Sequence, residues 1–200
     1  MAKPARKAPK TRAEKKQRTR AALIAAGLAE ISEHGLEASL DAICARAGLT
    51  RGAFYVHFAD REAFLIAVMN EVLGRFVASL THAELGDVRA AIAAFIAAAA
   101  ARSPAVHDGG ALRFHHVTEA CLRSRAIGDA YRGIVLAGRD RLAHLIARDH
   151  KTAALRARTS SRALADTLVV VALGVAASVE LGLELELGRV AGALGAMIAA

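Results

Sequence analysis

A 200-residue chain that is 54% apolar, with three prolines and 4% aromatic residues, holds material for one large or two small packed domains, and its alanine- and leucine-rich make-up favours helix almost throughout. Its two cysteines, Cys44 and Cys121, fit neither a CxxC metal spacing nor a disulfide framework, which excludes a cystine-stapled secreted scaffold and suits a reducing cytoplasm. The formal net charge of +8 sits wholly in residues 1–20, where nine basic side chains face the single acid Glu14, while the remaining 180 residues balance 18 basic against 18 acidic side chains; such a terminus suits a polyanion.

Residues 1–11 read as a disordered basic arm without the apolar core of a secretory signal, because the first sustained apolar stretch begins at Ala21. Leu23, Ile24, Leu28 and Ile31 recur at helical spacing and predict a first helix from near Arg12 to His34, stopped by Gly35. Ser39 is placed to cap a second helix that carries Asp41 in its first turn, turns Ile43 inward and runs to about Ala47. Gly48 permits a tight turn, Leu49 plugs it, and Thr50 caps a very short third helix ending near Phe58. Two short helices joined by a turn of this length form a helix-turn-helix.

Asp60 then caps a fourth helix from Arg61 to about Leu80, with Phe64, Leu65, Val68, Val72 and Phe76 along its apolar stripe. Further helices are predicted over Val88–Arg102, Gly110–Ser124 and Ile127–His150, the first of them ended by Ser103-Pro104. Lys151–Ser160 lacks apolar periodicity and reads as a loop. Ser160 or Ser161 caps a long helix to about Leu183, and a last helix covers roughly Glu186–Ile198. The longest apolar run, Leu168–Val179, falls short of the roughly 20 residues of a membrane span, so no membrane segment is expected. The expected fold class is all-α, about nine helices, with a helix-turn-helix domain over residues 12–60 and a larger helical domain over 61–200.

The stretch from Ser39 through Ala-Gly-Leu-Thr-Arg-Gly-Ala-Phe-Tyr-Val-His-Phe-Ala-Asp-Arg to Leu65 resembles the DNA-binding signature of the tetracycline-repressor family, in which a capping Ser or Thr, an Ala-Gly turn, a Tyr-x-His-Phe pair and a following basic residue recur in this order. The resemblance spans about 50 residues, and the rest of the chain is similar to the family only in length and helix pattern. Independently of it, a short helix projecting from a turn can enter the major groove, which is about 12 Å wide. Thr50, Arg51, Gly52 and Ala53 would then face base edges, with Arg51 able to grip guanine O6 and N7 by its forked donors. Tyr55, His57 and Arg61 are assigned by the resemblance to phosphates, and Ser39 offers a hydroxyl and backbone N–H groups to another. The basic arm would track phosphates or the minor groove alongside.

The resemblance also implies a ligand pocket in the C-terminal helices and a homodimer through the last two of them, formed as a four-helix bundle. Small residues from Ala172 to Ser178, with Gly188, Gly192 and Gly195, would allow close approach there. Phe95, Phe114, His115, Val117, Glu119, Cys121 and Tyr131 are the candidate pocket residues, an apolar set with few polar handles that fits a small hydrophobic or aromatic effector. For any one of them ordinary core packing is the commoner role. His115 and Glu119, one turn apart, have no third ligand nearby in sequence, so neither a metal nor a cofactor is expected. With no GxSxG, P-loop or HExxH motif, no enzyme is expected either. The expected function is a cytoplasmic repressor that binds a double-stranded DNA operator. The rival is a helical adaptor or membrane-surface protein, which has no use for the short helix at Thr50–Phe58.

Overall fold

The computed structural model describes residues 11–80, 90, 92–93, 112–149, 157 and 159–199. Among these residues every regular element is helical. Helix α1 spans Arg12–His34 and opens on a reciprocal capping box: Thr11 Oγ1 accepts the Glu14 N–H at 3.2 Å, and Glu14 Oε2 accepts the Thr11 N–H at 2.7 Å. It stops at Gly35, whose φ of 69° a side chain would resist. A single 3-10 turn, Gly35–Glu37, leads to α2, Leu40–Arg46, capped by Ser39. Gly48, at φ 66°, then turns the chain into α3, Arg51–His57, capped by Thr50. Helix α4, Arg61–Leu80, starts where Asp60 Oδ1 accepts the Ala63 N–H at 2.7 Å.

The remaining helices are α5, Phe114–Arg123; α6, Arg125–Arg148; α7, Ser161–Glu180; and α8, Leu187–Ala199. Several predicted boundaries move. Leu112 and Arg113 are not helical, so α5 starts later than Gly110; its first turn is held from outside, by the Glu180 carboxylate accepting the Phe114 N–H at 3.1 Å. Ser124 both ends α5 and caps α6 through the Ile127 N–H at 3.1 Å, so α6 begins at Arg125 rather than Ile127. It ends at Arg148, because Asp149 is extended. Helix α7 stops at Glu180, not Leu183, because Gly182 turns at φ 68° and the Leu183 N–H folds back to the Ser178 carbonyl at 3.0 Å. Of the helix predicted over Val88–Arg102, Ala90, Ile92 and Ala93 are described and helical; the rest, Phe95 included, lies outside the described residues, as do the first ten residues of the basic arm. Of the predicted loop, the described residues 157 and 159–160 are not helical.

One core joins α1–α4 to α5 and α6. Leu23, Leu28, Ile31, Ile43, Phe54, Phe64, Val68 and Val72 pack with Val117, Ala120 and Ile127, so apolar contact continues across residue 60. Phe54, Phe58 and Phe64 form an aromatic triangle with ring centroids 5.0 to 5.3 Å apart, which fixes α3 against α4. A second cluster joins Ile146 of α6 to Ala165 of α7 and to Val190 and Leu194 of α8. Helix α7 is also long and apolar enough, by length and composition, to cross a bilayer, contrary to the reading of its apolar run as too short; it packs on α5 and α6 but little of it is buried within the chain.

Candidate nucleic-acid interface

Helix α3 has seven residues and one fully buried side chain, Phe54, which pins it to the core while the opposite face stays open. Arg51 and Gly52 are exposed, Ala53 is half-buried, and Thr50 at the cap is exposed with its Oγ1 accepting the Ala53 N–H at 3.3 Å. These four residues therefore lie together on the outer side of the turn. Arg51 rests against Asp41 of α2, with Nη1 3.5 Å from Oδ2 and both side chains more than half exposed, a weak contact that a stronger acceptor displaces.

Gly52 has no internal reason to be glycine. Its backbone is not left-handed, and a Cβ there would meet only Thr50 Oγ1 at 3.7 Å, an ordinary contact. In a seven-residue helix glycine costs about 1 kcal/mol relative to alanine, and no contact among the described residues offsets it.

The residues expected at phosphates are arranged around this face. Ser39 is exposed and its hydroxyl accepts the Ala42 N–H at 3.0 Å; Tyr55 is 52% exposed, its ring edge-on to Phe54 at 5.4 Å. His57 is half-buried with Nδ1 enclosed and unpartnered, leaving Nε2 as the ring nitrogen open to solvent. Burial, then the cations Lys16 and Arg20, push its pKa below the ordinary imidazole value and keep it neutral. Arg61 is half-buried and donates Nη2 to the Leu36 carbonyl, which ties the 3-10 turn to α4 and leaves its other N–H groups for an outside acceptor.

A clasp of charged side chains joins α1 to α2. Arg46 Nε lies 2.6 Å from the buried Glu30 and Nη2 2.6 Å from Glu33, while His34 Nδ1 lies 3.2 Å from Glu30. Glu30, Glu33 and His34 are close enough together to hold an ion, but the Arg46 guanidinium already bridges the two carboxylates.

Of the expected pocket residues, Val117 lines a small cavity of about 10 Å³, room for one water molecule, with Ile31, Leu36, Leu65, Val68, Met69, Leu112, His116 and Ala120 around it. Tyr131 and Cys121 are half-buried against the main core, and burial raises the pKa of both. Phe114 is half-buried at the start of α5. His115 and Glu119 point outward: His115 Nδ1 sits 2.6 Å from Glu180 Oε2, and Glu119 sits 3.0 Å from Arg123. The residue missed by sequence reasoning is His116, 8% exposed, with Nδ1 enclosed and unpartnered. His116, Val117 and Ala120 are buried together on one side of α5, which places His116 and not His115 inward.

Residues 23–68 match the family model described as bacterial regulatory proteins, tetR family. Comparison of the chain with curated proteins gives no match. Among solved structures, the fatty acid degradation regulator FadR from Bacillus halodurans is similar over 98% of this chain and 97% of its own, with a TM-score of 0.68 at 17% identity. A TetR-like transcriptional regulator from Rhodococcus sp. RHA1 is similar over 95% of this chain and 96% of its own, with a TM-score of 0.54 at 23% identity.

Proposed function

We infer that this chain, which belongs to the tetR family of bacterial regulatory proteins, is a repressor that reads a palindromic operator as a homodimer and lets go when a small hydrophobic effector binds. The observation that carries the reading is the outer face of α3. It joins an exposed forked donor at Arg51, held only by its weak contact with Asp41, to a glycine at position 52 that no contact among the described residues and no backbone angle requires. A duplex drawn close against the helix backbone supplies the missing reason, and Arg51 then reads guanine. Tyr55, His57 Nε2, Arg61 and Ser39 hold flanking phosphates, which position the head without specifying sequence.

The dimer reading is supported by α7 and α8. Val170 and Met197 are 68% and 66% exposed on the two helices whose small residues allow close packing, and Leu181, in the turn just past α7, is 74% exposed. The effector reading is supported by the apolar lining of the cavity between α4 and α5, which holds no more than a water and must open to admit a ligand. A ligand that wedges α5 away from α4 changes the tilt of α4, and with it the separation of two heads that must span about 34 to 36 Å, one DNA turn.

Selection of bound sequences from a random duplex pool tests this directly. An inverted repeat recovered by the wild type and lost by Arg51→Ala, with the dimer intact by light scattering, is the expected result. Recovery of the same repeat by Arg51→Ala, or no consensus from the wild type, sinks the reading.

A further inference from the structure

Helix α1 changes character along a single face. From Leu23 onward that face enters the core through Ile24, Gly27, Leu28 and Ile31, whereas one to three turns earlier the same face carries Arg20, Lys16 and Arg12 at four-residue spacing. The N-terminal turns of α1 therefore run past the packed head and expose a cationic stripe where the core face would continue. Its end is located by Arg20, whose guanidinium carbon lies 5.3 Å from the centroid of the Phe58 ring, directly after α3. The stripe from Arg12 to Arg20 is about 12 Å long at 1.5 Å rise per residue. Among the described residues no carboxylate pairs with Arg12, Lys16 or Arg20, although ion pairs are common elsewhere on the surface. The one acid of this segment, Glu14, is turned to its capping bond with Thr11.

We propose that Arg12, Lys16 and Arg20 form a second duplex-contact surface, gripping the phosphate strand that flanks the groove entered by α3. The proposal rests on the reading of α3 as the groove-entering helix. Three features support it beyond charge. The stripe is on folded helix, so its cations are held in register at little further ordering cost. It abuts the C-terminal end of α3, where His57 Nε2 and Tyr55 already face outward, so the cations prolong a line of donors along one strand. A neutral His57 beneath them adds a donor without adding repulsion between like charges.

The test compares salt dependence and sequence preference on one duplex carrying the selected repeat and one scrambled duplex. Each lost phosphate contact lowers the slope of log K against log salt by roughly 0.9, so Arg12→Gln with Lys16→Gln, which removes two contacts in each of two protomers, is expected to lower it by roughly 3.6 and to weaken both duplexes by the same factor. Arg20→Lys keeps the charge and is expected to keep the slope, while Arg20→Gln loses about one contact; a thermal melt of each variant shows that the head beneath Phe58 stays folded. An unchanged slope in the folded Arg12→Gln, Lys16→Gln variant overturns the proposal, as does a loss confined to the selected duplex. Arg51→Ala on the same duplexes separates the two readings. If it keeps the sequence preference, the assignment of α3 fails, whatever the stripe variants do to the slope.

Discussion

Arg123, at the end of α5, places Nη1 2.6 Å from Oε1 of Glu37, a residue 86 positions earlier in the 3-10 turn after α1. Beside it Ser124 donates its hydroxyl to Glu62 in the first turn of α4. The junction of α5 and α6 is thus tied to both ends of the reading unit, by bonds to α1's exit and to α4's start. Both partners of the Arg123–Glu37 pair are exposed, so the contact matters more for where α5 sits than for overall stability. Arg123→Ala is expected to leave the melting temperature essentially unchanged while speeding amide exchange in residues 35–38, measured by mass spectrometry. Unaltered exchange there would show that the apolar contacts alone hold the turn.

Gly27 lies in α1 where alanine should be better by about 1 kcal/mol on helix propensity. Yet a Cβ there would stand 2.2 Å from Cζ of the fully buried Phe64 ring. Phe64 is hemmed in by Phe54 and Phe58, so it has little room to move aside. Gly27→Ala is expected to destabilise by about 1 to 3 kcal/mol, the usual range for overpacking a core, as read from the midpoint of urea unfolding. A stabilised variant would mean that the ring has an alternative seat.

Thr50 and Ser160 make matching cap bonds, to the Ala53 N–H at 3.3 Å and the Ala163 N–H at 3.1 Å. Replacing a cap of this kind by alanine costs about 1 kcal/mol. The consequences should differ because α3 has seven residues and α7 has twenty. Thr50→Ala is expected to weaken operator binding more than its effect on unfolding would suggest, whereas Ser160→Ala should lower stability alone. Paired melting and duplex-binding measurements decide between these outcomes.

Both enclosed histidines, His57 and His116, have pKa values below the usual 6.5, burial being the leading cause in each. The unfolded chain takes up a proton on each near pH 6.5 while the folded chain does not, so the unfolded state binds more protons and gains as the pH falls. Stability is expected to be flat above about pH 7 and to decline below 6.5 until the folded-state values are passed. His116→Phe should remove part of that decline. A second loss belongs to Glu180: burial acts to raise its carboxyl, but the bonds from His115 and the Phe114 N–H outweigh it, and its pKa falls below 4.5. The stability it contributes is present above 4.5 and is lost as the pH drops through its lower folded value. Urea unfolding at a series of pH values checks both windows.

Most of the reading head was legible in the sequence because its signals are local. Caps at Ser39, Thr50 and Asp60, left-handed stops at Gly35 and Gly48, and the apolar spacing of Leu23, Ile24, Leu28 and Ile31 each act within one or two turns, and each stands where the sequence predicted it. The exposed outer face of α3 follows from the same local pattern. What only the tertiary structure decided depends on partners far apart in the chain. The start of α5 at Phe114 is set by a carboxylate 66 residues away, Ser124 serves two helices at once, and His116 rather than His115 turns inward because α5 lies against α1 and α4. Nor does the sequence show that Arg61 is tied to the Leu36 carbonyl, or that a Cβ on Gly27 would collide with Phe64. A linear sequence states which side chains are available and with what period, but which of them meet is decided by how rigid helices pack, and that is a property of the whole core.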